Sequence, residues 1–489
     1  MVHRVVALAL AAALDLGAQP ATPDTAPAVV VTRADLARTY TRLDGLLATR
    51  TLAAGPQRRI NEAFDRGTLA FFLGQGAATL AQLDSIAAAL DPSLSRRLMA
   101  WRVAPEPARL LRGSRSSVRI QLARLYADST THPLSAEAKV IVRDGAGRER
   151  ARLAPPIGED STVLHATAPA GLLAALPEGR YTVWLRDGRD SVRGEDLIVV
   201  VTSLDSARVT LRRRLDALEL PVTLTAARSA LRSRLTLLTM RPDANNTAQL
   251  LADPLALSAE VHAELDALAR GVDPYAGRVG DWWQTMTVGS AAVPMRIVVP
   301  PRPADTTRRR GLVIALHGAG MDENAFPDGY GAGRIVALAA DANAVVVSPA
   351  TARFSAAAFD SVVRVMVRDH GVDPGRVVLI GHSAGAAQAL SLAAQRATQI
   401  RAVAAIAGAG AVPASAALPP TLVLGAALDP VIPAPRVRAL AQALQRPGRT
   451  VEYRELANWG HTLVVGSALP SVFTWLWSED RVPKARNAP

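Results

Sequence analysis

The sequence predicts an α/β protein: a mostly parallel sheet covered by helices in the C-terminal part, preceded by a helical region and a small β-sandwich. Three observations carry this. Strands and helices alternate from Gln284 onward. Several strands there are unbroken apolar runs, such as Val377 to Ile380, which suit a strand buried on both faces. Ahead of them, two stretches with helical spacing flank a block of short alternating strands.

Length and composition set the frame. A chain of 489 residues exceeds one ordinary core, so about two to four domains are expected. With 49% hydrophobic and 20% charged residues it reads as globular. Aromatic residues are only 4%, so alanine, leucine and valine must build the cores.

Residues 1–18 read as a secretory signal peptide. Arg4 supplies the positive end, Val5 to Leu14 the apolar run and Ala18 the small residue at the cut, although Asp15 is atypical. A secreted or periplasmic location follows as the expectation. No later segment offers the ~20 uninterrupted apolar residues of a membrane span. Absence of cysteine excludes disulfides, thiolate chemistry and cysteine-ligated metals.

The formal charge of +12 invites a nucleic-acid reading. The basic residues are nearly all arginine, with lysine only at Lys139 and Lys484, and they are scattered. Short runs occur at Arg212 to Arg214 and Arg308 to Arg310, without a nucleic-acid motif beside them. Solvated surface, and no nucleic-acid partner, is the expectation.

A proline- and alanine-rich linker, Ala21 to Val30, leads into a helical region at residues 31–112. Its stripes are Leu36, Tyr40, Leu43 and Leu47, then Leu80, Leu83, Ile86 and Leu90. Near Gly113 the period changes to two, with Val118, Ile120 and Leu122 alternating with Arg119 and Gln121. Further strands are expected at Ala138–Arg143, Thr162–Ala168, Arg180–Arg186 and Asp196–Thr202, with Asp144-Gly145, Glu178-Gly179 and Asp187-Gly188 as turns. Residues 113–203 therefore read as a small β-sandwich, and Glu178 to Leu185 loosely resembles the late strands of immunoglobulin-like modules. Helical spacing returns over 204–272 with Val209, Leu211, Leu215 and Leu218. Two helical blocks around one strand block raise the arrangement of a single bundle with the sandwich inserted.

Residues 280–480 form the expected catalytic domain. A hairpin of Gln284–Val288 and Met295–Val299 opens it. Then follow strand Leu312–Leu316, helix Ala332–Ala342, strand Ala344–Ser348, helix Ser355–Asp369, strand Arg376–Ile380 and helix Ala384–Arg396. Strands Ala402–Ala407 and Thr421–Gly425, helix Ala434–Leu444, strand Val451–Glu455 and a helix near Ser471–Trp477 complete it.

The run Gly381-His382-Ser383-Ala384-Gly385 fits G-x-S-x-G between a buried strand and an alanine-rich helix. In that context the serine sits on a sharp strained turn with its hydroxyl exposed above a sheet. A serine hydroxyl needs a base, and the base needs a partner that holds its tautomer. The order Ser, Asp or Glu, His directs the search downstream. His461 is the one histidine there, directly after a strand end, and Asp429 follows the apolar strand Thr421–Gly425. Asp373 reads as a turn initiator and Asp480 lies past the last helix.

An oxyanion needs fixed N–H donors. Ala384, next to the nucleophile, supplies one, and Ala319 in Leu316-His317-Gly318-Ala319-Gly320 is the chosen second, with Gly318 and Gly320 as neighbours in the choice. His317 is read as ordering that loop, His382 as packing or tuning the site, and His370 as a helix-end residue that favours the dipole. No paired metal-ligand spacing links His132, His165 and His262, so no metal is expected. Phe326, Tyr330 and Trp459, on or after these loops, are candidates for the substrate pocket, and Tyr181 and Trp184 are candidates for stacking.

Residues 284 to 478 resemble an α/β-hydrolase, close to dienelactone hydrolases, polyhydroxybutyrate depolymerases, phospholipase/carboxylesterases and the prolyl oligopeptidase catalytic domain. The resemblance rests on Leu316 to Gly320, Val372 to Arg376, Gly381 to Gly385, Asp429 and Gly460-His461. It implies acyl transfer to water through an acyl-serine, with no metal or cofactor and a small-molecule or polymeric ester as substrate. A serine peptidase of the prolyl oligopeptidase type shares the triad. Its usual propeller has no counterpart here, because the front half shows no repeat period. The third expectation is a non-catalytic binding protein on the same scaffold. The sequence gives neither the acyl and alcohol groups nor the oligomeric state.

Overall fold

A computed structural model describes residues 29–127, 133–155, 162–239, 247, 252–303 and 307–478. The leader at 1–18 and His132 lie outside the described residues. The chain divides into two compact units. One gathers the chain up to Leu46, Arg66–Asp216 and Leu235–His262; the other gathers Leu47–Asp65, Ala217–Arg234 and the chain from Ala263 onward. Each of the two helical blocks is therefore divided between the units.

The front of the chain supplies helices α1 (Arg33–Ala48), α2 (Ala54–Phe72), α3 (Gly76–Leu90) and the short α4 (Arg96–Met99). Strands follow as β1 (Trp101–Glu106), β2 (Arg109–Leu111), β3 (Arg119–Arg124), β4 (Lys139–Arg143), β5 (Glu149–Leu153), β6 (Val163–Thr167), β7 (Gly179–Asp187) and β8 (Asp190–Val200). They form a three-stranded sheet in the order β1-β3-β6 and a five-stranded sheet in the order β2-β8-β7-β4-β5. Val103, Ile120, Leu122 and Ala166 of the first share one core with Val140, Val142, Val183 and Leu197 of the second. The alternation along β7 puts Tyr181 in that core and leaves Trp184 on the outer face, where the Arg143 guanidinium lies 5.7 Å from its ring centroid.

The strand-rich block starts at Trp101, ahead of the expected Gly113. In β1, Trp101, Val103 and Pro105 alternate inward, a period hidden in the sequence by Pro105 and Pro107. Strand β5 was hidden for a different reason, because its outward residues Glu149, Arg150 and Arg152 leave only Ala151 and Leu153 buried.

Helices α5 (Leu204–Ala217), α6 (Thr225–Leu237) and α7 (Pro254–Ala269) precede the large sheet. Its elements are β9 (Gly280–Val288), β10 (Ala291–Val299), β11 (Arg310–Leu316), α8 (Arg334–Asp341), β12 (Ala344–Pro349), α9 (Ala356–His370), β13 (Val372–His382), α10 (Ala384–Gln395), β14 (Ala402–Ile406), β15 (Thr421–Ala426), α11 (Ala434–Leu444), β16 (Val451–Leu456) and α12 (Val464–Trp477). The last helix begins seven residues before the expected Ser471 and carries Pro470 inside it. In α9 the Ser355 hydroxyl accepts the Ala358 N–H, and Gly371 closes the helix at φ 65°. Burial against Trp282 holds the His370 pKa below the usual imidazole range, so its ring is neutral rather than partly charged.

The strand order is β16-β15-β14-β13-β11-β12-β10-β9. From β12 to β16 neighbouring strands are parallel, and the β9–β10 hairpin adds an antiparallel edge. Every residue of β11 and β12 is buried, as helices on both faces require. Val313, Ala315, Val378 and Ile380 share a core with Ile335 of α8 and Val465 and Leu469 of α12. After β11 the chain goes to one side, to β12, and then crosses to the other side, to β13. The carboxyl ends of β11 and β13 therefore flank a topological switch point, where open α/β sheets place their ligands.

Candidate active site

Ser383 follows β13 and precedes α10, with φ 53° and ψ −116°. A non-glycine residue in that region carries strain of about 1–3 kcal/mol, and it persists only where the surroundings fix it. Here they do. The Ser383 N–H donates to the Ile406 carbonyl of β14 at 3.0 Å. The two flanking glycines permit the close approach of strand and helix. A Cβ on Gly381 would lie 2.2 Å from the Gly385 oxygen, and one on Gly385 would lie 2.0 Å from the Leu316 oxygen.

His461 comes from the loop after β16 and Asp429 from the loop after β15. The Ser383 hydroxyl lies 3.1 Å from His461 Nε2, and His461 Nδ1–H donates to Asp429 Oδ2 at 2.7 Å. Asp429 Oδ1 accepts the N–H groups of Val431 and Ile432, both at 2.8 Å. Three of the carboxylate's roughly four lone-pair sites are thus engaged, two by its own loop and one by the imidazole. With Nδ1–H committed to Asp429, the ring turns its acceptor nitrogen toward Ser383. Both side chains are buried, while Ser383 remains partly exposed.

A second chain of hydrogen bonds runs beneath this array. Gly318 N–H donates to the Tyr330 hydroxyl at 3.3 Å, which donates to His382 Nδ1 at 2.7 Å. His382 Nε2–H in turn donates to the His461 carbonyl at 3.0 Å. His382 is fully buried, and burial, then the neighbouring His461, hold its pKa well below the usual range. A neutral ring has one donor and one acceptor nitrogen, and this chain uses each once. Burial likewise pushes the Tyr330 pKa up, keeping its hydroxyl a donor. His382 thus ties the loop after β11 to the histidine loop.

His317 orders the other side of the first loop: its Nδ1–H donates to the Gly318 carbonyl at 2.8 Å and its Nε2 accepts the Thr351 N–H at 3.1 Å. The Gly318 N–H is occupied by Tyr330, and Gly320 turns the chain at φ 78°. The Ala319 amide lies between these two in the chain. Ala384 opens α10, where the first N–H groups of a helix have no carbonyl one turn back.

Two residues distant in sequence but in the same compact unit join the site. Asn61 Oδ1 on α2 accepts the Gly460 N–H at 2.9 Å, and Asp65 accepts the His461 N–H with both oxygens, at 3.1 and 3.2 Å. Burial, then the charge of Asp429, push the Asp65 carboxyl up to about 7, although the His461 N–H pulls the other way. Nothing in the sequence pointed to them beyond their four-residue spacing on one helix face.

Of the three expected pocket aromatics, Phe326 and Tyr330 are instead core residues with ring centroids 4.8 Å apart, and both are fully buried. The run after the first loop turns inward here, so its aromatics support the loop from below. Trp459 keeps a partly exposed surface next to Gly460 and accepts the Leu428 N–H at its carbonyl. Among the described residues no three His, Cys, Asp or Glu side chains gather as a metal site. Among them, too, no helix is long and apolar enough to cross a membrane.

No family model and no curated protein matches the chain. Solved structures resemble part of it. A bacterial heroin esterase is 16% identical over 40% of this chain and 84% of its own, with a TM-score of 0.33. An S-formylglutathione hydrolase from Staphylococcus aureus is 12% identical over 40% and 97%, with a TM-score of 0.34. A hyperthermophilic esterase from the archaeon Pyrobaculum calidifontis is 16% identical over 54% and 100%, with a TM-score of 0.35. The α/β-hydrolase fold rests on this chain's own strand order and on the strand–turn–helix at Ser383.

Proposed function

We propose that this protein is an exported serine hydrolase that cleaves carboxylic esters through an acyl-serine intermediate. One observation carries the reading: Ser383, His461 and Asp429 form a continuous hydrogen-bonded array on a strained strand-to-helix turn. Ser383 Oγ attacks the ester carbonyl as His461 Nε2 takes its proton, and Asp429 stabilises the resulting imidazolium. The Ala319 and Ala384 amides receive the oxyanion, each worth about 10²–10³ in rate. Collapse expels the alcohol, which takes the proton from His461. Water, activated by the same imidazole, then attacks the acyl-serine and releases the acid.

Ser383→Ala is expected to abolish turnover of short-chain nitrophenyl esters and labelling by a fluorophosphonate probe. Unchanged turnover in that variant would sink the assignment. The array serves amides as well as esters, so release from a proline-amide substrate faster than from the ester would move the reading to a peptidase. A wild-type protein that takes no fluorophosphonate would favour a binding role. Export is read from residues 1–18, and N-terminal sequencing of the protein recovered from the cell envelope or medium tests it.

A further inference from the structure

We propose that Asn61 and Asp65 are positioning residues for His461, so that a helix near the start of the chain completes the active site; this rests on the serine-hydrolase reading. The imidazole must keep Nε2 at hydrogen-bond distance from Ser383, and the backbone that carries it is a loop. Asn458 in that loop has φ 61°, and the amides of Gly460 and His461 are bonded to α2. Asn61 and Asp65 lie one helical turn apart on one face of α2, with 1% and 3% exposure. The Asn61 amide is itself fixed, because its Nδ2 donates to the Gln57 carbonyl at 2.9 Å.

The fit around Gly460 is close. A Cβ there would lie 2.0 Å from Asp65 Oδ2 and 2.7 Å from its Cγ, so the Asp65 carboxyl occupies the space that any larger residue would need. Asp65 faces the His461 amide from the loop after β16 and the Asp429 charge from the loop after β15, with Asn61 as its neighbour on α2. An acid placed against another acid costs stability, and here it holds the backbone of the proposed base. Misplacing a reacting group by about 1 Å can cost about 10²-fold in rate.

The test uses the full chain and measures kcat and KM for a short-chain nitrophenyl ester beside the fluorophosphonate labelling rate of Ser383. Asp65→Ala is expected to lower kcat by about 10- to 100-fold with KM changed less than about three-fold, and Asp65→Asn, which keeps an acceptor, to restore most of it. Gly460→Ala is expected to cost about ten-fold alone and less than about two-fold on top of Asp65→Ala, because the clash partner is then gone. An Asp65→Ala enzyme within about three-fold of wild-type kcat, or independent effects in the double variant, overturns the positioning role. Should Asp65→Ala not fold, Asn61→Ala decides: kcat within about three-fold of wild type overturns the proposal, and a larger loss at unchanged KM supports it. A wild type that neither turns over ester nor takes the label overturns the serine-hydrolase reading itself. A labelled, active wild type with an undiminished Asp65→Ala variant overturns the positioning role alone.

Discussion

Asp65 and Asp429 grip the same histidine at its two ends: one accepts the His461 backbone N–H, the other its imidazole Nδ1–H. Burial, then the charge of Asp429, push the Asp65 carboxyl up to about 7. The first acid sets where the ring starts from, and the second sets which way it turns.

That arrangement has a pH signature in stability. The Asp65 carboxyl moves from 3.8 to about 7, so between those values the folded chain binds more protons than the unfolded one. Stability linked to this proton is full below the unfolded pKa, falls as pH rises towards 7, and is flat beyond. The difference of about three units corresponds to on the order of 4 kcal/mol. Asp65→Asn should therefore gain thermal midpoint over the wild type as pH goes from 5 to 8. A gap that stays constant across this range would count against the raised value.

Asp429→Asn should lower kcat by about 10⁴-fold while leaving the fold intact. A carboxamide can donate to Nδ1, which leaves the proton on Nε2 and no acceptor for the serine hydroxyl. Steady-state kinetics with a nitrophenyl ester, beside a circular dichroism melt, checks both halves of this expectation.

Tyr330→Phe interrupts the path from Gly318 to His461. It leaves the Gly318 N–H and His382 Nδ1 without their partner, at a cost of about 1–3 kcal/mol for a buried unsatisfied group. A drop in the denaturation midpoint together with lower kcat is expected. Unchanged kcat would mean that the loop after β11 holds its position without this support.

Gly385→Ala should be among the most damaging single-methyl changes in the chain. The new carbon would sit 2.0 Å from the Leu316 oxygen and 2.7 Å from the His317 oxygen, both backbone. Relief needs α10 to move away from β11, beyond the ~1–3 kcal/mol of an ordinary overpacked core. Loss of soluble expression, or a large fall in melting temperature, is the readout.

Local chemistry was legible in the sequence; distant chemistry was not. Ser383 announces itself because the turn, its two glycines and the flanking strand and helix are contiguous. Asp429 and His461 stand out because each follows a strand, and parallel strands deliver their ends to one edge of the sheet, where the two are hydrogen-bonded. Phe326 and Tyr330 were misplaced because sequence proximity to a loop does not say which side of it faces solvent. Asp65 gave no signal at all, since it sits 396 residues before the backbone it holds, within a helix that looks ordinary. Strand β1 escaped for another reason, because Pro105 masks its period of two.

The helical carboxyl that meets the histidine loop also imposes an order on biosynthesis. At a translation speed of about 5–20 residues per second, Asp65 leaves the ribosome roughly 20 to 80 s before His461. During that interval the acid has no amide to receive and stays in water as an ordinary surface group. Only when the loop after β16 is present can Asn61 and Asp65 of α2 receive its amides, so this part of the site is assembled from the two far ends of the described sequence. Fragments ending short of the histidine loop would expose that face, and a protease could recognise them by it.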